Sequence, residues 1–199
     1  VDIKAEFGLE LLCVDLLQAT ELVVAAGVKR ERCLVITPNV DHVVTVMQRP
    51  DVFDVYKRAR FLFTDGMPLV WLSRFLPGPS IPARVTGADL IGSISSACAR
   101  ENVSMALVGG EPGVAEVASH ELMKRYPGLR IVGTYSPPFG FDQSEEESEK
   151  IIDLCSKWRP DILCLAFGAP KQEVWADKYL SRLECGPVLC FGAAIDFVA

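Results

Sequence analysis

Short apolar runs alternate along this chain with longer stretches of helical periodicity, and that alternation restricts the fold more than any single motif. The runs Leu9–Val14, Cys33–Thr37, Phe61–Thr64, Ala83–Val85, Ser104–Val108, Arg130–Thr134, Ile162–Phe167 and Val188–Phe191 read as strands. Helical patterns fall at Leu16–Ala26, Val40–Met47, Pro50–Arg60, Pro68–Phe75, Ala88–Arg100, Pro112–Tyr126, Glu145–Trp158 and Gln172–Leu183. Parallel neighbours need a crossover, which a helix of this length supplies, so the pattern predicts βαβ units and a mostly parallel sheet. The strand runs are near-continuous, as in a sheet covered on both faces. A hydrophobic content of 50% and a mean hydropathy of +0.25 agree with that. The expectation is one α/β domain spanning residues 1–199.

Boundary residues fit the helices. Thr86 or Gly87 can cap the helix that follows, with Asp89 matching its dipole. Pro112 suits a first helical turn after Gly109-Gly110. Ser144 with Glu147 makes a capping-box pattern. The segment 136–143 holds two prolines and two aromatics, Phe139 and Phe141. It reads as a loop whose exposed rings can form a mobile lid.

The bulk numbers exclude some functions. A net charge of −6 lacks the basic surface that nucleic-acid binding needs. The 7 cysteines show no Cys-x-x-Cys pair and no disulfide framework, which suits a reducing compartment. No leader and no apolar run of ~18 residues is visible, so the protein is expected in the cytoplasm.

In an open parallel sheet the carboxyl ends of the strands share one crevice, and this chain places polar or glycine-rich turns there. Asp65, between Phe61-Leu-Phe-Thr64 and Gly66, can be a partly desolvated general base, although the Asp-Gly dipeptide alone reads more readily as a turn or helix cap. Thr37 and Asn39 flank Pro38; they either orient a substrate hydroxyl or cap the next helix. Arg84 can pair with a phosphate or carboxylate, or form a surface ion pair. Gly109-Gly110 either receives an anion at a helix start or serves turn geometry only. The turn from Gly168 through Pro170 to Lys171, Gln172 and Glu173 sets three polar side chains at a strand end. Of these, Gln172 and Glu173 point in different directions, so one at most caps while the other faces crevice or core. Asp196 follows the last strand. The glycine fingerprints of dinucleotide sites and Walker loops are missing. His42 and His120 have no ligand-spaced partners, so no metal and no cofactor is expected. No Asp-x-Asp occurs, which removes the usual metal clamp on a nucleotide-sugar diphosphate.

Taken as an ordered set, Thr37-Pro-Asn39, Asp65-Gly66, Arg84-Val-Thr-Gly87, Val108-Gly-Gly110, Tyr126-Pro127, Gly168-Ala-Pro-Lys-Gln-Glu173 and Gly192…Asp196-Phe197 resemble the TagA/WecG/CpsF glycosyltransferases, glycosyltransferase family 26. The likeness runs from about residue 10 to the last residue and is strongest to the branch that builds the wall teichoic acid linkage unit. It implies a Rossmann-like fold. It also implies inverting, metal-independent transfer of N-acetylmannosamine from UDP-N-acetylmannosamine to the 4-hydroxyl of N-acetylglucosamine on undecaprenyl diphosphate. By the same resemblance Asp65 is the catalytic base, assisted by Thr37 at the reacting hydroxyl. Asn39, Arg84 and Gln172 then line the pocket, with Asp196 near the nucleotide.

Family members continue through an Arg-Ala-Pro segment into an appendage that reaches the membrane, whereas this sequence stops at Phe197-Val-Ala199. The resemblance therefore implies a core lacking that appendage, with slow turnover and, in the full-length protein, a peripheral place at the inner membrane face. An apolar surface can make a dimer or trimer, so a homo-oligomer is expected. The rival readings are a same-family transferase for another UDP-sugar, a nucleotide-sugar-binding module without catalysis, and a nicotinamide oxidoreductase.

Overall fold

From its third strand onward the chain follows the predicted alternation except at Ala83–Val85. In the computed structural model, which describes residues 1–196 and 198–199, six strands form one parallel sheet. They are β3 (Leu34–Ile36), β4 (Phe61–Leu62), β5 (Ser104–Gly109), β6 (Arg130–Tyr135), β7 (Ile162–Ala166) and β8 (Val188–Cys190), ordered β4-β3-β8-β7-β5-β6. Phe197, the end of the carboxy-terminal motif, lies outside the described residues. The fold is α/β and Rossmann-like, as expected.

The helices cover both faces. On one side α1 (Leu16–Val28), α5 (Gly87–Glu101) and α6 (Val114–Arg125) bury Val23, Ile91, Ile94 and Leu122 against Val35, Met105, Leu107 and Cys164. On the other, α2 (Val40–Gln48), α3 (Pro50–Arg58), α4 (Met67–Ser73), α7 (Glu145–Trp158) and α8 (Lys171–Tyr179) meet Leu34, Ile36, Ala106, Val108, Leu163 and Leu165. Successive strand residues thus feed opposite cores, as the two-residue repeat of a strand requires. Thr86, rather than Gly87, caps α5: its hydroxyl accepts from the Asp89 amide at 3.0 Å. Ser144 caps α7, but Glu147 does not return the bond; its carboxylate instead accepts from the Tyr135 hydroxyl at 2.6 Å.

The sequence expectation needs three corrections. Leu9–Val14 is not part of the parallel sheet. Residues Leu9–Leu12 form β2, paired antiparallel with β1 (Ile3–Glu6) through a Phe7-Gly8 turn with both φ angles positive, the backbone that a two-residue hairpin favours. The first strand of this hairpin escapes a hydrophobic scan because its inward residues are Lys4 and Glu6. Ala83–Val85 is not a strand either: Pro82 lacks a donor, and the segment makes one bond, from the Val85 amide to the Thr64 carbonyl at 2.7 Å. Helix α6 starts at Val114, and Pro112 belongs to the turn before it.

Lys4 explains why the hairpin is there. Its ammonium is buried and donates to the carbonyls of Ser73, Leu76 and Pro77 at 3.0, 2.9 and 2.8 Å. All three donors of the ammonium are used, and the carboxyl end of α4 is closed by a cation that also matches its dipole. Among the described residues no helix is long and apolar enough to cross a membrane. Lys4→Met should therefore leave the three carbonyls bare and lower stability by about 2–3 kcal/mol. Urea unfolding of the two proteins measures this; an unchanged midpoint would remove Lys4 from the role.

Candidate functional site

Strand order decides which turns meet. The carboxyl ends of β4, β3, β8 and β7 stand side by side, the edge of an open parallel sheet at which ligands bind. A cavity of about 520 Å³ lies across these ends. Thr37, Asn39, Asp65, Arg84, Gly168 and Gln172 all line it, so residues spread over most of the chain converge there.

Asp65 sits where β4 has just ended, its amide tied to the Pro38 carbonyl at 2.9 Å. That bond fixes the Asp65 turn to the Thr37-Asn39 turn. The half-buried carboxyl is pushed above its ordinary range by desolvation; a hydrogen bond from the Gly87 amide and the charge of Arg84 oppose this, while Asp89 adds to it. Thr37 is buried at the end of β3. Asn39 fills both roles left open by the sequence: its Oδ1 caps α2 by accepting from the His42 amide at 3.1 Å, while its side chain still faces the cavity. Arg84 is exposed at the cavity wall, and no ion pair ties it to another described residue. A guanidinium left free at a cavity wall is suited to an anionic ligand.

Gln172 is almost wholly buried. Its Oε1 accepts from the Gly192 amide at 3.0 Å and the Phe167 amide at 3.3 Å, while its Nε2 donates to Glu173 Oε1 at 2.9 Å. One carboxamide thus ties the turns after β7 and β8 together at the cavity edge. Glu173 is fully buried beneath it and does not line the cavity. Desolvation pushes its carboxyl up to about 7, against the Gln172 hydrogen bond, and its Oε2 has no partner. Lys171, third of that polar trio, turns away: its ammonium stands 3.9 Å from Asp142 and lies over the rings of Phe139 and Phe141.

Four other candidates also fall outside the cavity. Gly109 and Gly110 end β5, where a Cβ on Gly109 would lie 2.3 Å from the Ala166 oxygen. The Gly110 amide donates to that same carbonyl at 3.0 Å, so Gly109 serves close strand approach and the Gly110 amide is already engaged. Asp196 is exposed near Gly110, on the far side of β7. Pro170 lines two neighbouring hollows instead. The 136–143 loop contributes no residue to the main cavity, and Phe141, expected to be exposed, packs on Phe167 at 4.4 Å between ring centroids.

Two further contributors belong to turns that the sequence places near the crevice without assigning them a site role. The start of α5, from Thr86 to Asp89, forms one wall. His42 forms another; its Nδ1 is 3.0 Å from the hydroxyl of buried Tyr56, and burial lowers its proton affinity. A legible signal existed for His42, since it lies one helical turn beyond Asn39.

A parallel α/β sheet with a polar cavity over its central strand ends defines a ligand-binding domain of Rossmann-like type. The chain belongs to the WecG/TagA/CpsF family of glycosyl transferases, whose pattern it matches over residues 5–199. It is similar to the N-acetylglucosaminyldiphosphoundecaprenol N-acetyl-beta-D-mannosaminyltransferase of Bacillus spizizenii, 27% identical over 162 residues. That alignment covers 81% of this chain and 60% of the relative.

Glu173 gives the fold a pH signature. Its carboxyl is raised from 4.5 to about 7, so the neutral form suits the folded state, and its contribution is complete below pH 4.5. As pH rises to about 7 that contribution is lost, on the order of 3 kcal/mol, and above it the loss is constant. Glu173→Gln cannot ionise, so its stability relative to the parent should climb between pH 5 and 7. Parallel melting curves across that range test the assignment; a constant difference would refute it.

Proposed function

We propose that this protein transfers N-acetylmannosamine, with inversion and without a metal ion, from UDP-N-acetylmannosamine to the 4-hydroxyl of N-acetylglucosamine on undecaprenyl diphosphate. This is the step that builds the linkage unit of wall teichoic acid. The observation carrying the reading is the convergence of Thr37, Asn39, Asp65, Arg84 and Gln172 on one cavity in a chain of this family. The name of the Bacillus relative supports the sugar and the lipid-linked acceptor. A polyprenyl acceptor places the work at the inner face of the cell membrane, with the protein as a peripheral homo-oligomer.

The chemistry follows from the groups present. Asp65 removes the proton of the acceptor hydroxyl, which Thr37 and the free amide end of Asn39 orient. The acceptor oxygen bonds to the anomeric carbon as the bond from that carbon to the β-phosphate oxygen breaks, and the electron pair leaves with UDP. Negative charge then develops on the diphosphate. Arg84 and the amino end of α5 are the partners this cavity offers it. This departs from the glycine turn at Gly110, whose amide is already bonded.

Asp65→Asn should lower kcat by ~10²–10⁴-fold, the usual worth of a general base, with UDP affinity within about threefold of the parent. Activity of the parent should also fall as pH drops through the Asp65 pKa, which burial raises from its ordinary value. The assay follows UDP release from a panel of UDP-sugars with a short-chain lipid diphosphate acceptor. Equal turnover by the variant would remove Asp65 as base. UDP binding without turnover in either protein would favour the non-catalytic module.

A further inference from the structure

Glu173 is a fully buried acid in a wall of the cavity that touches none of its space. Its surroundings hold no compensating cation: among the described residues no lysine or arginine is paired with it. The titratable groups that sense its charge are Tyr56 on α3 and Cys190 on β8, both held neutral by burial, with His42 behind Tyr56. Among the described residues its carboxylate takes one side-chain hydrogen bond, from Gln172 Nε2.

That bond settles which way the Gln172 carboxamide faces. A carboxamide has one accepting end and one donating end. The backbone amides of Phe167 and Gly192 need the oxygen, and Glu173 Oε1 holds the nitrogen on the opposite side. Without an acceptor at Glu173, a flipped carboxamide would set its NH₂ against two N–H donors, and both would lose their partner. The turns so held are those at Gly168 and Gly192, which face the cavity with φ of 79° and 55°.

We propose that Glu173 is a positioning residue: it fixes the Gln172 carboxamide and, through it, the Gly168 and Gly192 turns that form the donor side of the cavity. The proposal rests on the reading of this cavity as a nucleotide-sugar site. Glu173 does not touch substrate; it acts through Gln172. Because its carboxyl is raised to about 7, its proton state changes close to neutral pH, and the turns report that change.

Two measurements on the 199-residue chain test this. In ligand-free NMR, the backbone amides of Phe167 and Gly192 and the carboxamide of Gln172 should titrate together between pH 6 and 8. In Glu173→Gln they should be flat over that range. By calorimetry, Glu173→Met should weaken UDP binding about tenfold, and Glu173→Gln, which restores an acceptor, should recover it to within about threefold. Amides that ignore both substitutions would overturn the proposal, as would equal loss of UDP affinity in both variants. If the Met variant does not fold, the titration of parent against Glu173→Gln decides alone. If the parent itself fails to bind UDP, the nucleotide reading falls, and the ligand-free titration still decides the role of Glu173.

Discussion

Pairing of the first and last strands of the parallel sheet is the constraint on which the site depends. β3 and β8 run side by side, with Leu34 opposite Val188 and Ile36 opposite Cys190, and the Val188 amide bonds the Cys33 carbonyl at 2.8 Å. Only this neighbour relation puts Thr37 and Asn39 beside Gly192 and Ala194. Because the paired strands are separated by most of the chain, the cavity cannot exist before the sheet is complete. It is a property of long-range closure, the slow and cooperative part of such a fold. Gln172 then locks the adjacent join, between β7 and β8, at the same end.

Buried polar groups divide this protein into two regimes. Lys4 is a cation whose three donors all meet carbonyls, so its charge is compensated by dipoles and the hairpin stays closed over α4. Glu173 is the opposite case: among the described residues one oxygen is engaged, one has no partner and no cation is paired with it. The first arrangement favours a fixed charge. The second favours a neutral acid that is easily unsettled, and it lies next to the cavity rather than at the periphery.

Much of this was legible in the sequence, for reasons that differ by residue. The parallel sheet followed from apolar runs at helix-length spacing, and the strand-end clusters at Thr37, Asp65 and Gln172 followed from it, because topology gathers carboxyl ends wherever the strands fall in order; Arg84 reaches the same cavity from a segment that is not a strand. Lys4 and Glu6 hid β1, since their inward faces are charged. The roles of Gly109 and Gly110 could not be read without knowing that Ala166 passes close enough to take the Gly110 amide. Glu173 looked like a cavity residue because adjacent positions at a helix start diverge; which of the two turned inward depended on packing against α3 and β8.

In the proposed reaction Asp65 and Arg84 would serve binding and chemistry in sequence. Desolvation raises the Asp65 carboxyl, and the Arg84 charge together with the Gly87 amide holds it down. An anion bound at Arg84 offsets that positive charge and adds negative charge nearby, so both changes raise the proton affinity of Asp65. A diphosphate seated there would therefore strengthen the base as it fills the cavity, and its departure would weaken it again. The balance also limits the arrangement: if the carboxyl rose too far it would be protonated before reaction and could accept nothing. The Gly87 amide, in the first turn of α5, opposes such a rise alongside Arg84.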